Sequence, residues 1–111
     1  MTSQKTEVLQ GTLDMLVLRT LEAIGPMHGW GVARRIQQLS ENALQLTQGT
    51  IYPALLRLEQ RGWIDAEWGT SDSNRKARFY SLTKSGCMRL KQETQNWKHM
   101  MAVINRVLEG A

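Results

Sequence analysis

The residues best suited to chemistry in this chain are cations crowded into one segment. Residues 71–91 contain six basic side chains and a single acidic one, Asp72. The basic residues are Arg75, Lys76, Arg78, Lys84, Arg89 and Lys91. The whole chain of 111 residues has a formal net charge of +4 and a pI of about 9.6. Such a local excess of positive charge favours an anionic partner.

A second stretch, GTIYPALLRLEQRGW at residues 49–63, has the apolar spacing of a helix and an unusual start. The residues that form its predicted inward stripe are Ile51, Leu55 and Leu58. Gly49 has no side chain, so the backbone there can come close to a phosphate. Pro53 has no N–H, which costs nothing if the helix begins at Thr50. If Thr47 is the cap instead, Pro53 frees the carbonyl of Gly49.

Two further helices are expected before this stretch. The first is expected to begin with Thr12 as its cap and to end at Gly25. Its apolar residues repeat at intervals of three and four, namely Leu13, Leu16, Val17, Leu21 and Ile24. Met15 and Leu18 lie off that face, which indicates burial on two sides. The second helix is expected over about residues 29–39.

After residue 63 the apolar period changes from helical to alternating. Residues 64–69 and 77–82 alternate apolar and polar side chains, which predicts two strands joined by the polar tip GTSDSNRK. Three helices followed by a basic hairpin are typical of a winged helix-turn-helix, whose third helix enters the DNA major groove. We therefore predict a mainly α (α+β) fold with a DNA-binding domain at residues 1–82.

Residues 83–111 predict one long helix, which Thr83 caps and which extends for about 26 residues, or about 39 Å. A seam at coiled-coil spacing follows its length through Cys87, Leu90, Thr94, Trp97, Met101, Ile104 and Leu108. A domain of this size is too small to cover the apolar face of so long a helix. We therefore predict a C-terminal dimerisation helix that belongs to the same compact unit as the DNA-binding domain.

Three segments occur in order along the chain, PMHGWGVARRI, GTIYPALLRLEQRGWI and NRKARFYSLTKSG. Together they resemble the PadR family of bacterial transcriptional regulators over about residues 9–86. The single long helix at the C-terminus is similar to that of the family's compact subfamily. One departure is Trp30, where the family commonly has tyrosine.

The resemblance implies a homodimer that binds a double-stranded DNA operator of roughly two-fold symmetry, usually as a repressor released by a small molecule. The DNA-reading helix would present Thr47, Gln48, Gly49, Thr50, Tyr52 and Arg57. The wing would present Asn74, Arg75, Lys76 and Arg78. Simpler roles remain open: Tyr52 could pack against the second helix, Gln48 and Thr50 could only cap their helix, and the wing cations could form a solvated face.

The same resemblance assigns a dimer interface and a candidate effector site. The expected interface residues are Met15, Leu18, Leu90, Trp97, Met101, Ile104 and Leu108. Some members of the compact subfamily are similar in holding aromatic compounds between paired helices, so Trp97, Met15 and Leu18 are candidate contacts for a small aromatic effector. The alternative is that Trp97 is only a large anchor of the interface.

Other functions have little support in the residues. The two histidines, His28 and His99, are far apart, and no metal-spaced cluster or phosphate-binding glycine loop occurs, so we expect no enzyme, cofactor or metal. The main alternative is a winged-helix module that binds protein without specific DNA binding. The single Cys87 excludes an intramolecular disulfide. With no signal pattern and no long apolar segment, we expect a cytoplasmic protein with no membrane partner.

Overall fold

Four helices and one three-stranded antiparallel sheet make up the computed structural model, which describes residues 10–111. In chain order the elements are α1 (Gln10–Ile24), β1 (Met27–His28), α2 (Gly29–Leu39), α3 (Gln48–Gln60), β2 (Ile64–Thr70), β3 (Lys76–Leu82) and α4 (Lys84–Gly110). This confirms the predicted mainly α (α+β) winged helix-turn-helix with a long C-terminal helix. The first nine residues of the predicted domain at 1–82 lie outside the described residues.

The helix starts settle the two alternatives for the 49–63 stretch. Thr47 is the N-cap of α3, so Pro53 lies inside the helix and leaves the Gly49 carbonyl without its usual N–H donor. Thr83 caps α4 as predicted, because its Oγ1 accepts a hydrogen bond of 2.9 Å from the Gly86 N–H. The expectation that Thr12 caps α1 is wrong, because α1 already includes Gln10.

One strand was not expected. β1 is only two residues long, and it pairs with β3 through Met27 opposite Tyr80 and His28 opposite Phe79. Two residues are too few to show an alternating pattern, so the sequence carries no signal for this strand. His28 also caps α2, where its Nδ1 accepts a 3.0 Å hydrogen bond from the Gly31 N–H. The sheet order is therefore β1-β3-β2.

The core lies between the three short helices and the inner end of the sheet. Its buried apolar residues include Leu13, Val17, Leu18, Leu21, Val32, Ile36, Ile51, Leu55, Leu58, Ile64, Tyr80 and Leu90. The side chains predicted to form the inward stripe of α3 are all among them. α1 is buried on two sides as predicted, since Leu18 is as inaccessible as Val17.

The long helix α4 packs on this core only near its start. A Cβ at Gly86 would overlap the backbone carbonyl oxygen of Trp63, so glycine allows a close approach there. Leu90 is buried, with 3% of its surface exposed, whereas the helix beyond it carries large exposed apolar side chains. Among the described helices, none combines the length and the apolar character needed to cross a membrane.

Candidate DNA-binding surface

The start of α3 is an exposed polar tip. Thr47, Gln48, Gly49 and Thr50 are all exposed, and the Oγ1 atoms of Thr47 and Thr50 lie 3.1 Å apart. The first N–H groups of any helix have no partner within it, so this tip offers donors and the positive end of the helix dipole to an anion. The structure thus places four predicted DNA-reading residues together at one exposed site.

Gly49 has open space around it. A Cβ built there would meet only the Thr47 Oγ1, at an ordinary distance of 3.7 Å. Glycine costs about 1 kcal/mol relative to alanine inside a helix. A larger residue than glycine would fit here within the protomer. The glycine is therefore consistent with a partner that approaches the backbone closely.

Tyr52 both packs against α2 and remains accessible. A Cβ at Gly29 would lie 2.8 Å from Tyr52 Cε1 and 2.7 Å from Leu55 Cδ1, so these side chains pack closely against the first turn of α2. The Tyr52 residue is nevertheless 42% exposed. The packing role weighed for Tyr52 is therefore present, and it leaves part of the side chain free for a contact outside the protomer.

Arg57 is engaged inside the protomer. Its Nη2 donates to Asp14 Oδ1 at 2.8 Å, and Arg61 Nη1 lies 3.6 Å from the other oxygen of the same carboxylate. The Asp14 side chain is only 8% exposed, so this ion pair ties α3 to α1 within the structure. We therefore treat Arg57 as a residue that positions α3.

The wing is a regular hairpin with a short turn at its tip. Trp68 pairs with Arg78 and Thr70 with Lys76 across the two strands. In the turn, the Ser71 N–H donates to the Arg75 carbonyl at 2.8 Å, and Asn74 has a φ of 60°, which asparagine tolerates better than most residues. Asn74 thus shapes the tip that presents the neighbouring cations.

The three cationic wing residues divide into two groups. Arg75 and Lys76 are exposed and form no ion pair with an acidic residue within the described range 10–111. Arg78, in contrast, donates from Nη2 to Glu59 Oε2 at 2.8 Å and lies over the Tyr80 ring at 5.8 Å. Arg75 and Lys76 therefore retain charge for an external anion, while Arg78 connects the wing to α3.

Tyr80 belongs to the supporting structure of the wing. Burial raises the pKa of its hydroxyl above the ordinary value, and the Arg78 guanidinium opposes that rise. The side chain is 6% exposed and opposes Ala66 across the strands. Tyr80 therefore stays neutral near physiological pH, and its ring packs beneath the Arg78 guanidinium.

Comparison with known proteins decides the family. A model of the transcriptional regulator PadR-like family matches residues 17–92. The chain belongs to the PadR-like family. It is accordingly a DNA-binding transcription regulator, and the family inferred from the three sequence segments is confirmed.

Solved PadR-like and related structures share the fold. A transcriptional regulator from Clostridium thermocellum is 26% identical, with a TM-score of 0.81 over 91% of this chain and 97% of that one. A PadR family regulator from Eggerthella lenta is 27% identical, with a TM-score of 0.77 over 92% and 86%. A PadR-like regulator from Bacillus cereus, 23% identical over 96% and 100%, superposes with a TM-score of 0.79 and supports the fold.

The residues expected at the dimer interface and effector site line two different cavities of the protomer, and Glu93 lines both. Trp97, Met101 and Ile104 line an open cleft of about 240 Å³ on α4. Met15 and Leu18 instead line a small cavity of about 60 Å³ beneath Trp63 and Arg89. Leu18 and Leu90 are 1% and 3% exposed, so they support the surface from inside and offer no area to a second chain.

Sequence reasoning does not identify two residues that contact the site's cations. Asp14 was not singled out, although an acidic residue between apolar positions of a buried helix is a signal for a buried ion pair. Trp68 was interpreted as part of an alternating strand, yet it is 65% exposed beside two wing cations. A large aromatic residue next to a basic turn is the signal that could have identified it.

Proposed function

We propose that this chain is a cytoplasmic homodimeric repressor that binds a two-fold symmetric operator through the tip of α3 and the wing. The observation that carries the proposal is the wing itself, where Arg75 and Lys76 are exposed cations without an acidic partner in the described part of the chain. Cations of this kind bind DNA phosphates and release counterions. The exposed α3 tip supplies polar groups for base edges.

The dimer is supported by the apolar surface of α4. Beyond Leu90 the exposed large apolar side chains are Trp97, Met100, Met101, Ile104, Val107 and Leu108. A contiguous apolar face of this kind marks a protein interaction site. Two copies packed through this face would place two α3 tips about a symmetry axis, as a palindromic operator requires.

Replacement of Trp97 by alanine is expected to raise the dissociation constant of the dimer about tenfold, because a large interface aromatic is lost. Analytical ultracentrifugation over a dilution series measures this directly. Met88→Ala is the matched control, since Met88 is an exposed apolar residue near the start of the same helix. An unchanged dissociation constant for Trp97→Ala would show that the interface lies elsewhere.

A small aromatic effector is the second part of the proposal. The α4 cleft is lined by Trp97, Met100, Met101 and Ile104, which offer an apolar wall and one indole for stacking. In a symmetric dimer the two clefts would face each other across the axis. The competing role of Trp97 as a plain anchor predicts dimerisation without any aromatic ligand.

The operator itself can be selected from DNA of random sequence. We expect the purified protein to enrich an inverted repeat whose half-sites are centred roughly one helical turn, about 10 base pairs, apart. If repeated rounds of selection enrich no common DNA sequence, the winged-helix protein-interaction module would be favoured instead.

Replacement of Gln48 by alanine is expected to weaken binding to the selected operator about tenfold, because one amide contact to a base edge is lost. Binding to a scrambled duplex, and the slope of affinity against salt, should stay the same, because no phosphate contact changes. Competition titrations with the two duplexes separate these effects. An equal loss on both duplexes would place Gln48 on the DNA backbone.

A further inference from the structure

Trp68 is a large aromatic residue with no place in the core. It lies on the same face of β2 as Ile64 and Ala66, which point inward, but Trp68 is 65% exposed. An indole exposed to this extent gains little from burial in the core, so its packing partners are the side chains on the surface of the wing.

Trp68 lies where the sheet narrows from three strands to two. β1 covers β3 only at Phe79 and Tyr80, and the Trp68–Arg78 pair is the next pair toward the tip. From there outward the wing is a ribbon of two strands. A two-stranded ribbon in water is marginally stable and depends on its cross-strand side-chain pairs.

Two cations lie over the indole ring. Lys76 Nζ and Arg78 Cζ are each 5.9 Å from the ring centroid of Trp68. Lys76 and Arg78 are two residues apart on β3, so they share the face that Trp68 occupies on β2. Within this range a cation is attracted to the aromatic face.

The rest of the wing fixes the position of this cluster. Arg78 is also bound to Glu59 of α3. On the opposite face Phe79 packs so closely over Gly69 that a Cβ there would lie 2.9 Å from Phe79 Cδ1. Trp68 is therefore held between a cation anchored to α3 and a cation free of ion pairs within the described residues.

We propose that Trp68 is a positioning residue for DNA binding, whose indole holds Lys76 in the outer wing at the point where the wing meets the phosphate backbone. This inference rests on the proposed function of the wing. A flexible lysine loses rotamer freedom when it binds a phosphate, and a side chain already held near its bound position loses less. Trp68 thus contributes to affinity through Lys76.

The test is a double-mutant cycle on operator affinity. We expect Trp68→Ala to weaken binding about tenfold, and Lys76→Ala to cause a smaller loss in the Trp68→Ala background than in the wild type. Trp68→Phe should restore most of the loss, because a phenyl face also attracts a cation. Leu39→Ala, at an exposed apolar residue at the end of α2, is the control for removal of surface area.

The outcomes separate the inference from the proposed function. Additive losses in the cycle, or a Trp68→Phe protein as weak as Trp68→Ala, would overturn the positioning role. Unchanged affinity of Trp68→Ala, with a strong loss on charge reversal at Arg75 and Lys76, would overturn this role and leave the wing as the DNA contact. A wild-type protein that does not distinguish operator from scrambled DNA would overturn both. Thermal unfolding of each variant should shift only slightly, since Trp68 lies outside the core and a cross-strand pair contributes only a small part of the stability.

Discussion

Charge reversal of Arg75 and Lys76 to glutamate is expected to weaken operator binding by about 100-fold near physiological salt. Both side chains are exposed and have no acidic partner in residues 10–111, so their charge is available to phosphates. Loss of two phosphate contacts should also lower the slope of log affinity against log salt by about 1.8, at about 0.9 per contact. Fluorescence anisotropy of a labelled duplex at several salt concentrations measures both quantities.

The matched control reverses two cations on α4. Lys91 and Lys98 are exposed and border an open groove against α1, away from the wing, and Lys91→Glu with Lys98→Glu changes the net charge by the same amount. We expect this control to lose little affinity. An equal loss in both double variants would mean that net charge alone drives binding, and the assignment of the wing would then be wrong.

Replacement of Asp14 by alanine is expected to lower the free energy of unfolding by about 2 to 4 kcal/mol. The carboxylate is 8% exposed and is bound by Arg57 at 2.8 Å, so its removal leaves a largely covered guanidinium without its partner. The Nε of Arg57 already has no hydrogen-bond partner among the described residues, which leaves this group little else to bind. Urea denaturation at fixed protein concentration measures the change.

The same helix supplies a control for this prediction. Glu22 pairs with Arg19 at 2.6 Å, but the two side chains are 36% and 65% exposed. Exposed pairs of this kind contribute about 0 to 1 kcal/mol, so Glu22→Ala should change the unfolding free energy by less than about 1 kcal/mol. If Asp14→Ala costs no more than Glu22→Ala, the Asp14–Arg57 pair does not stabilise the packing of α3 on α1.

The sequence allowed most elements of the fold to be predicted, because their signals are local. Periodic apolar residues predicted the helices and the hairpin, and Thr83 predicted the start of α4. β1 could not be predicted, since its two residues become a strand only through pairing with Phe79 and Tyr80. Pairing of this kind depends on the position of β3, which local sequence does not contain.

The candidate site could be predicted as a set of residues but not as an arrangement. The local sequence predicted that the polar tip begins the third helix and that the basic residues lie on the hairpin, and the structure has them on these elements. It could not show that Arg57 is bound to Asp14, 43 residues away, or that Arg78 is bound to Glu59. Only these long-range ion pairs distinguish the cations that support the fold from Arg75 and Lys76, which have no acidic partner in residues 10–111.

The central claim is tested most directly by titration of the wild-type protein with the inverted repeat selected from random DNA and with a scrambled duplex of equal composition. We expect saturation at two protomers per selected site, weaker binding to the scrambled duplex, and a log affinity that falls by about 0.9 per decade of salt for each neutralised phosphate. Equal, weak binding to both duplexes with no defined stoichiometry would contradict the account of this chain as a dimeric, sequence-specific DNA-binding regulator.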